Sequence, residues 1–207
     1  MYMEIPAIYC VFKGGEVRSA QVRIEGTALS FETEPQTVAF SAEGSEERMQ
    51  VLVADVRGLG RRGLDDRLLK KMKFSGSDVW FLTFIRDIED VFDSFMGNIV
   101  KLLIPYHTTR NDLVMKEAFE MSENCIPVLF VSKGMVMCRR GQTKDLRTAV
   151  EEMARIGFRE VAVLDTDSML TAYDWTSLND RFPGLIPYIR KKDAMESAEF
   201  QNIIFDL

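Results

Sequence analysis

The stretch IPAIYCVFKGGEVR, residues 5–18, is answered much later in the chain by IPVLFVSKGMVMCRR, residues 126–140. Each copy opens on Ile-Pro, runs through apolar residues, turns at a Lys-Gly pair and resumes with β-type residues that reach an arginine. A second correspondence follows in the same order. VLVAD at 51–55 matches VAVLD at 161–165, with Asp55 and Asp165 closing each run. Strand 1 thus mirrors strand 5 and strand 2 mirrors strand 6, the pattern of a chain made from two related halves.

Working outward from these runs, eight short apolar segments become visible. They lie at 5–11, 51–56, 79–84, 99–105, 126–131, 161–167, 185–189 and 202–207. Their lack of polar alternation predicts strands buried on both faces, as in a parallel sheet. Helical patterns separate several of them. TKDLRTAVEEMARIG sets Leu146, Ala149, Val150 and Met153 on one stripe, with Asp145 at its start and Gly157 as its stop. NDLVMKEAFEMSEN follows a similar period with Asn111 or Asp112 as N-cap, and LDDRLLKKMKFSG and IEDVFDSFMG are shorter helices ending on glycine. LTAYDWTSLNDRFPG reads as an irregular connector, GSEERMQ leaves little room for a helix, and KDAMESAEFQ holds one or two turns. The predicted fold is a single-domain α/β protein over residues 1–207. It is a compact (β/α)8 TIM barrel with a two-fold half-barrel repeat (approximately 1–122 and 123–207), shortened helices and no final helix.

Composition narrows the function classes. The formal charge of −6 argues against nucleic acid or an anionic membrane as partner, and no apolar run reaches the roughly 18 residues of a membrane span. Cys10, Cys125 and Cys138 are odd in number and lack metal-ligand spacing, which suits a reducing cytoplasm and inert thiols. No signal-peptide pattern opens the chain.

The chain resembles the histidine-biosynthesis barrel family, which holds the ribotide isomerase and the imidazole-glycerol-phosphate synthase subunit. The resemblance is carried by IPAI with KGGEVR, by Ile85, Arg86, Glu89 and Asp90 in FIRDIEDVFDSFM, and by CRRGQTKDLRTAVEEMARIGFREVAVLDTD. It implies a phosphorylated substrate at the C-terminal mouth, with Arg18, Arg86, Arg140 and Asp165 as contacts. Departures are equally specific. The family's two catalytic aspartates, at the ends of strands 1 and 5, align with Tyr9 and Phe130. Phenylalanine moves no proton, and a phenol with a pKa near 10 is a poor base at neutral pH. The family's phosphate-binding glycines after strand 3 align with Thr83 and Phe84, and IRKKDAM after strand 7 also lacks glycine. The resemblance is to the small branch of that family found beside methanopterin-type cofactor metabolism.

Strand ends at the mouth supply the candidate site residues. His107, the only histidine, directly follows strand 4 and is the candidate general base; a hydrogen-bonded loop histidine is the alternative. Asp55 and Asp165 hold equivalent places in the repeat and, facing each other, would bind a divalent metal or share a proton; alternatively each caps the following helix or pairs with a neighbouring arginine, such as Arg57 for Asp55. Arg18, Arg86, Arg140, Asp167 and Arg190 are candidate ligand-binding residues, and RGLGRR at 57–62 reads as a basic flexible loop over the mouth. No cofactor and no metal is assigned. The leading expectation is a barrel that has lost the isomerase acids and binds or acts on a small anionic, phosphorylated metabolite. Two others stand beside it: a non-catalytic barrel that assembles, for example as a homodimer through the surface near strands 1 and 8, and an isomerase with displaced acids.

Overall fold

In the computed structural model, which describes residues 3–38, 49–72, 76–189 and 200–206, the apolar runs form eight strands. They are β1 (Met3–Lys13), β2 (Met49–Asp55), β3 (Ser77–Leu82), β4 (Lys101–Pro105), β5 (Cys125–Ser132), β6 (Val161–Asp165), β7 (Leu185–Ile189) and β8 (Asn202–Asp206). Each pairs in parallel with the next. β8 also pairs in parallel with β1, so the sheet closes into a barrel. Closure explains why the strands are apolar on both faces. Leu52, Trp80, Leu82, Val128, Phe130 and Tyr188 point into the lumen core. Their neighbours Val53, Phe81, Ile104, Leu129 and Val163 belong to the separate core under the helices.

Among the described residues, six helices fill part of the outer layer. α1 (Val56–Arg61) and α2 (Asp66–Lys71) follow β2, α3 (Ile88–Phe95) follows β3 and α4 (Asp112–Met121) follows β4. α5 (Leu146–Ile156) follows β5 and α6 (Ala172–Arg181) follows β6. α5 begins where its sequence predicts, the Asp145 carboxylate accepting from the Thr148 N–H at 2.9 Å. It stops at Gly157, whose φ of +120° and 2.5 Å clearance to Phe119 leave no place for a Cβ. Asn111 is the N-cap of α4.

Two segments differ from the sequence reading. The expected irregular connector after β6 is α6, entered through a capping box in which Thr171 and Asp174 satisfy each other's backbone N–H groups. RGLGRR is mostly helix: α1 contains Arg57–Arg61, and Arg62 is its left-handed C-cap. After β1 the described residues continue in β structure, in line with the β-type residues that follow its turn. Glu16–Ser19 folds back on β1, while Val22–Glu25 and Ala28–Phe31 form a hairpin that is a sheet of its own. Residues 44–48 and 192–199 lie outside the described residues, as does the candidate Arg190.

The two copies of the opening motif make the same local structure. β1 turns through Gly14 and Gly15 (φ +64° and +88°), and β5 turns through Lys133 and Gly134 (φ +53° and +74°). In both, two residues of positive φ join an antiparallel return strand, the turn whose twist matches the flanking strands. Near β1 and β8, Ile8, Ile203 and Phe200 are buried, and the Phe200 ring stands edge-on to Trp175 of α6. Among the described residues no helix is long and apolar enough to cross a membrane.

Candidate functional site

The Val22–Phe31 hairpin lies over the C-terminal mouth. Val22 and Ile24 join the lumen core, and Leu29 packs on it with Leu59 of α1 and Met137. Beneath it, the places of β1 and β5 where the family carries its acids are filled by side chains. Phe130 is fully buried, and Tyr9 is 5% exposed. The Tyr188 hydroxyl donates to Tyr9 at 2.8 Å, and Tyr9 donates to the Asp206 carboxylate at 2.6 Å. Burial holds the Tyr9 phenol well above its ordinary pKa, with Tyr188 and Asp206 adding to the effect, so it stays a neutral hydrogen-bonding group. Tyr9 and Phe130 therefore plug the lumen rather than line an open one.

What remains open is a cleft of about 610 Å³ between the hairpin tip and the loops after β2 to β5. Thr27–Leu29 form one wall, Leu59, Gly60 and Arg62 a second, and Phe84, His107, Thr108 and Arg140 the floor and far side. Its size is ordinary for a small-molecule site. Neither Arg62 nor Arg140 forms an ion pair with a carboxylate among the described residues, so two guanidinium groups face the cleft without internal neutralisation. Both hold left-handed backbone, φ +60° at Arg62 and +58° at Arg140, a conformation that costs a residue with a Cβ about 1–2 kcal/mol. Strain of this kind gathers where a side chain must be aimed.

His107 forms the inner end. Its ring stands edge-on to Phe130 with centroids 4.7 Å apart, and its Nδ1 is buried without a hydrogen-bond partner. Burial lowers its pKa to about 4, so the ring is a neutral hydrogen-bonding group at neutral pH rather than a store of protons. The Thr108 hydroxyl beside it is already spent, donating to the Ile85 and Pro105 carbonyls. Two further concavities, of about 690 and 510 Å³, lie beside β1 and its return strand. The larger is lined by Lys13, paired with Glu34 at 2.7 Å, and by Arg57 and Arg61; the smaller has no lysine or arginine in its lining.

The other predicted site residues are placed elsewhere. Asp55 and Asp165 do not meet across the mouth. Ala54 and Leu164 take the lumen-facing places, which turns the next residue of each strand outward. Asp55 is completely buried, accepting from the Gly58 N–H at 2.7 Å, the Asp65 N–H at 3.2 Å and the Thr83 hydroxyl at 2.9 Å. Asp165 accepts from the Leu170 N–H at 2.7 Å. Arg18 lies on the return strand of β1, its guanidinium 3.7 Å from Glu16. Arg86 is exposed, and its backbone N–H donates to the Asp90 carboxylate at 2.7 Å. Asp167 accepts from the Ser132 hydroxyl and the Lys133 N–H, pinning the β5 turn. Among the described residues no cluster of His, Cys, Asp and Glu is arranged to hold a metal, and burial pushes the Cys10 and Cys125 thiols up to about 12.

His107 and Arg140 are thus the predicted residues that share the cleft. Arg62 joins them from RGLGRR, the basic segment already visible in the sequence. The Tyr9–Tyr188–Asp206 chain was missed, although NIIFD ends a strand on an acid just as VLVAD and VAVLD do. Comparison of the chain with protein-family models and with curated proteins gives no match.

Proposed function

We propose that the protein binds a small anionic metabolite, carrying a phosphate or carboxylate, in the cleft under the hairpin. In this reading it is a divergent relative of the histidine-biosynthesis barrels, built from two half-barrels, that does not isomerise ribotides. The observation that carries it is that two arginines with no ion pair among the described residues, both on left-handed backbone, line one cleft. Guanidinium forks suit phosphate and carboxylate oxygens. Supporting the loss of isomerase chemistry, the two positions of the family's acids carry the buried Tyr9 and Phe130. The matched turns after β1 and β5 support the half-barrel origin.

Thermal unfolding with inorganic phosphate, ribose 5-phosphate and the isomerase's ribotide tests this. At 100 Kd a ligand stabilises by about 2.7 kcal/mol, which raises Tm by about 5–10 °C in a chain of this size. Arg62→Gly and Arg140→Gly are the informative variants, because glycine accepts the left-handed backbone without strain. Each is expected to keep stability within about 1 kcal/mol of the parent while abolishing the ligand shift. No shift with any anion would overturn the binding reading, and conversion of the ribotide by the purified protein would overturn the loss of isomerase chemistry.

A further inference from the structure

Two loops contribute facing walls of the cleft, and one side chain ties them together. The loop after β4 brings His107 and Thr108 to it, and the turn after the return strand of β5 brings Cys138, Arg140 and Gly141. That turn is closed by its own backbone, the Cys138 N–H donating to the Gln142 carbonyl at 2.7 Å and the Gln142 N–H to the Arg139 carbonyl at 3.2 Å. Within it Arg140 and Gly141 hold successive left-handed conformations, φ +58° and +71°. Glycine adopts this backbone without strain, whereas an arginine keeps it only where its surroundings hold it there. A change of hand at Arg140 would redirect its side chain away from the cleft. Among the described residues, both hydrogen bonds from this turn to the loop after β4 come from Arg139. Its Nη1 donates to the Thr109 hydroxyl at 3.1 Å and its Nη2 to the Asp112 carboxylate at 2.6 Å, and its guanidinium carbon lies 5.2 Å from the centre of the Tyr106 ring. The acceptors are themselves fixed. The buried Thr109 hydroxyl donates to the Tyr106 carbonyl at 3.0 Å, and the Tyr106 hydroxyl donates to Asp112 at 3.0 Å. From the far side of the turn, Lys144 donates to the Tyr106 hydroxyl at 3.2 Å. The turn is thus fastened on both sides around Tyr106, the residue that precedes His107.

Resting on the anion reading above, we propose that Arg139 is the positioning residue of the anion site: its fork on Thr109 and Asp112 holds the turn in the conformation that presents Arg140 to the cleft. A planar fork reaching two acceptors at once fixes orientation as well as distance. Arg139 is not among the residues that line the cleft, so it acts on the anion through Arg140 rather than by contact. Asp112 then works against its own charge. As a negative group near an anion site, its removal would strengthen anion binding; as the anchor of Arg139, its removal weakens it.

Isothermal titration of the full chain at pH 8 with inorganic phosphate and with ribose 5-phosphate tests this. Asp112→Ala is expected to weaken both about three- to tenfold, and Arg139→Met at least as much. Adding Asp112→Ala to Arg139→Met should bring no further loss, because the anchor then has nothing to hold. The Asp112 side chain is 64% exposed and Asn111 remains as the cap of α4, so Asp112→Ala should keep Tm within about 4 °C of the parent. Unchanged or tighter binding in Asp112→Ala would overturn the positioning role and leave the anion site standing. A further loss on adding Asp112→Ala to Arg139→Met would also overturn it, since Asp112 would then act without Arg139. Failure of the parent to bind either anion would overturn the anion reading and this role with it. The comparison of Asp112→Ala with the parent changes one exposed side chain, so it is decisive even where Arg139→Met disturbs folding.

Discussion

Asp55→Ala is expected to destabilise the protein by about 3–5 kcal/mol, a large effect for a single polar side chain. The carboxylate lies where β2 gives way to α1, with no exposure to solvent. It is the acceptor for three donors from three segments: Gly58 in α1, Asp65 ahead of α2 and Thr83 after β3. Alanine leaves all three without a partner, two of them backbone N–H groups, and removes the N-cap of α1. Denaturant unfolding measures the loss. Thr83→Val, which removes one donor and keeps the shape, should cost only about 1 kcal/mol. Asp165→Ala, in the equivalent place on β6, should cost about 1–2 kcal/mol, because its Leu170 bond stays within one loop. An Asp55→Ala protein within 1 kcal/mol of the parent would show that the carboxylate is not a fastener between segments.

This difference between equivalent aspartates bears on what was legible in the sequence. Strand number, order and parallel sense were readable because all eight strands are apolar runs of strand length, and the repeated motif pointed to closure. Which residue of each strand faces the lumen was not readable. Both faces of a barrel strand are apolar, so alternation gives no parity. One residue of parity decides whether a terminal acid meets the mouth or the helix layer. Asp55 and Asp165 take the outer place, whereas on β8 the acid Asp206 reaches Tyr9 in the lumen.

The mouth itself was obscured for a related reason. In VRIEGTALSF, Val22 and Ile24 alternate with Arg23 and Glu25, a pattern that marks a half-buried strand, but the surface it covers is defined only by closure of the barrel. In α6 the cue was local and present. Thr171 and Asp174 have capping-box spacing, and Trp175 and Leu178 are the buried positions that follow. The Gly-rich composition of RGLGRR concealed α1, whose stability comes from the Asp55 cap rather than from helix propensity. His107 was found because it directly follows a strand, Arg140 through the family resemblance of CRRGQTKDLRTAVEEMARIG, and Arg62 because it belongs to a basic run.

The acid response of the protein is expected to come from two opposed groups whose effects separate in variants. Burial pushes the Asp55 carboxyl up to about 6, against the pull of its three donors, and pulls His107 down to about 4. Folding therefore takes up a proton at Asp55 between the ordinary 3.8 and about 6. That contribution is present below this window and is lost as pH rises through it. Folding releases a proton at His107 between about 4 and the ordinary 6.5, so its contribution is complete above 6.5 and is lost as pH falls toward 4. The windows overlap with opposite slopes. His107→Gln leaves the Asp55 term alone, and its stability relative to the parent should rise as pH falls from 6.5 to 4. Asp55→Asn should show the reverse. The limit for Asp55 is about 3 kcal/mol, and the half-buried His107 falls below that because solvent screens it. Denaturant midpoints of the parent and both variants at pH 4, 5, 6 and 7 measure the two slopes, and taking differences from the parent cancels the other carboxylates. Parallel curves for all three proteins would mean that neither group titrates differently on folding. The same protonation states make a second demand on the cleft. With His107 neutral above pH 5, the cleft's attraction for an anion comes from Arg62 and Arg140 alone, so affinity for ribose 5-phosphate, once the ligand is fully ionised, should be independent of pH up to 9. A rise in affinity as pH falls from 8 to 6 would show instead that His107 gains a proton when the anion binds.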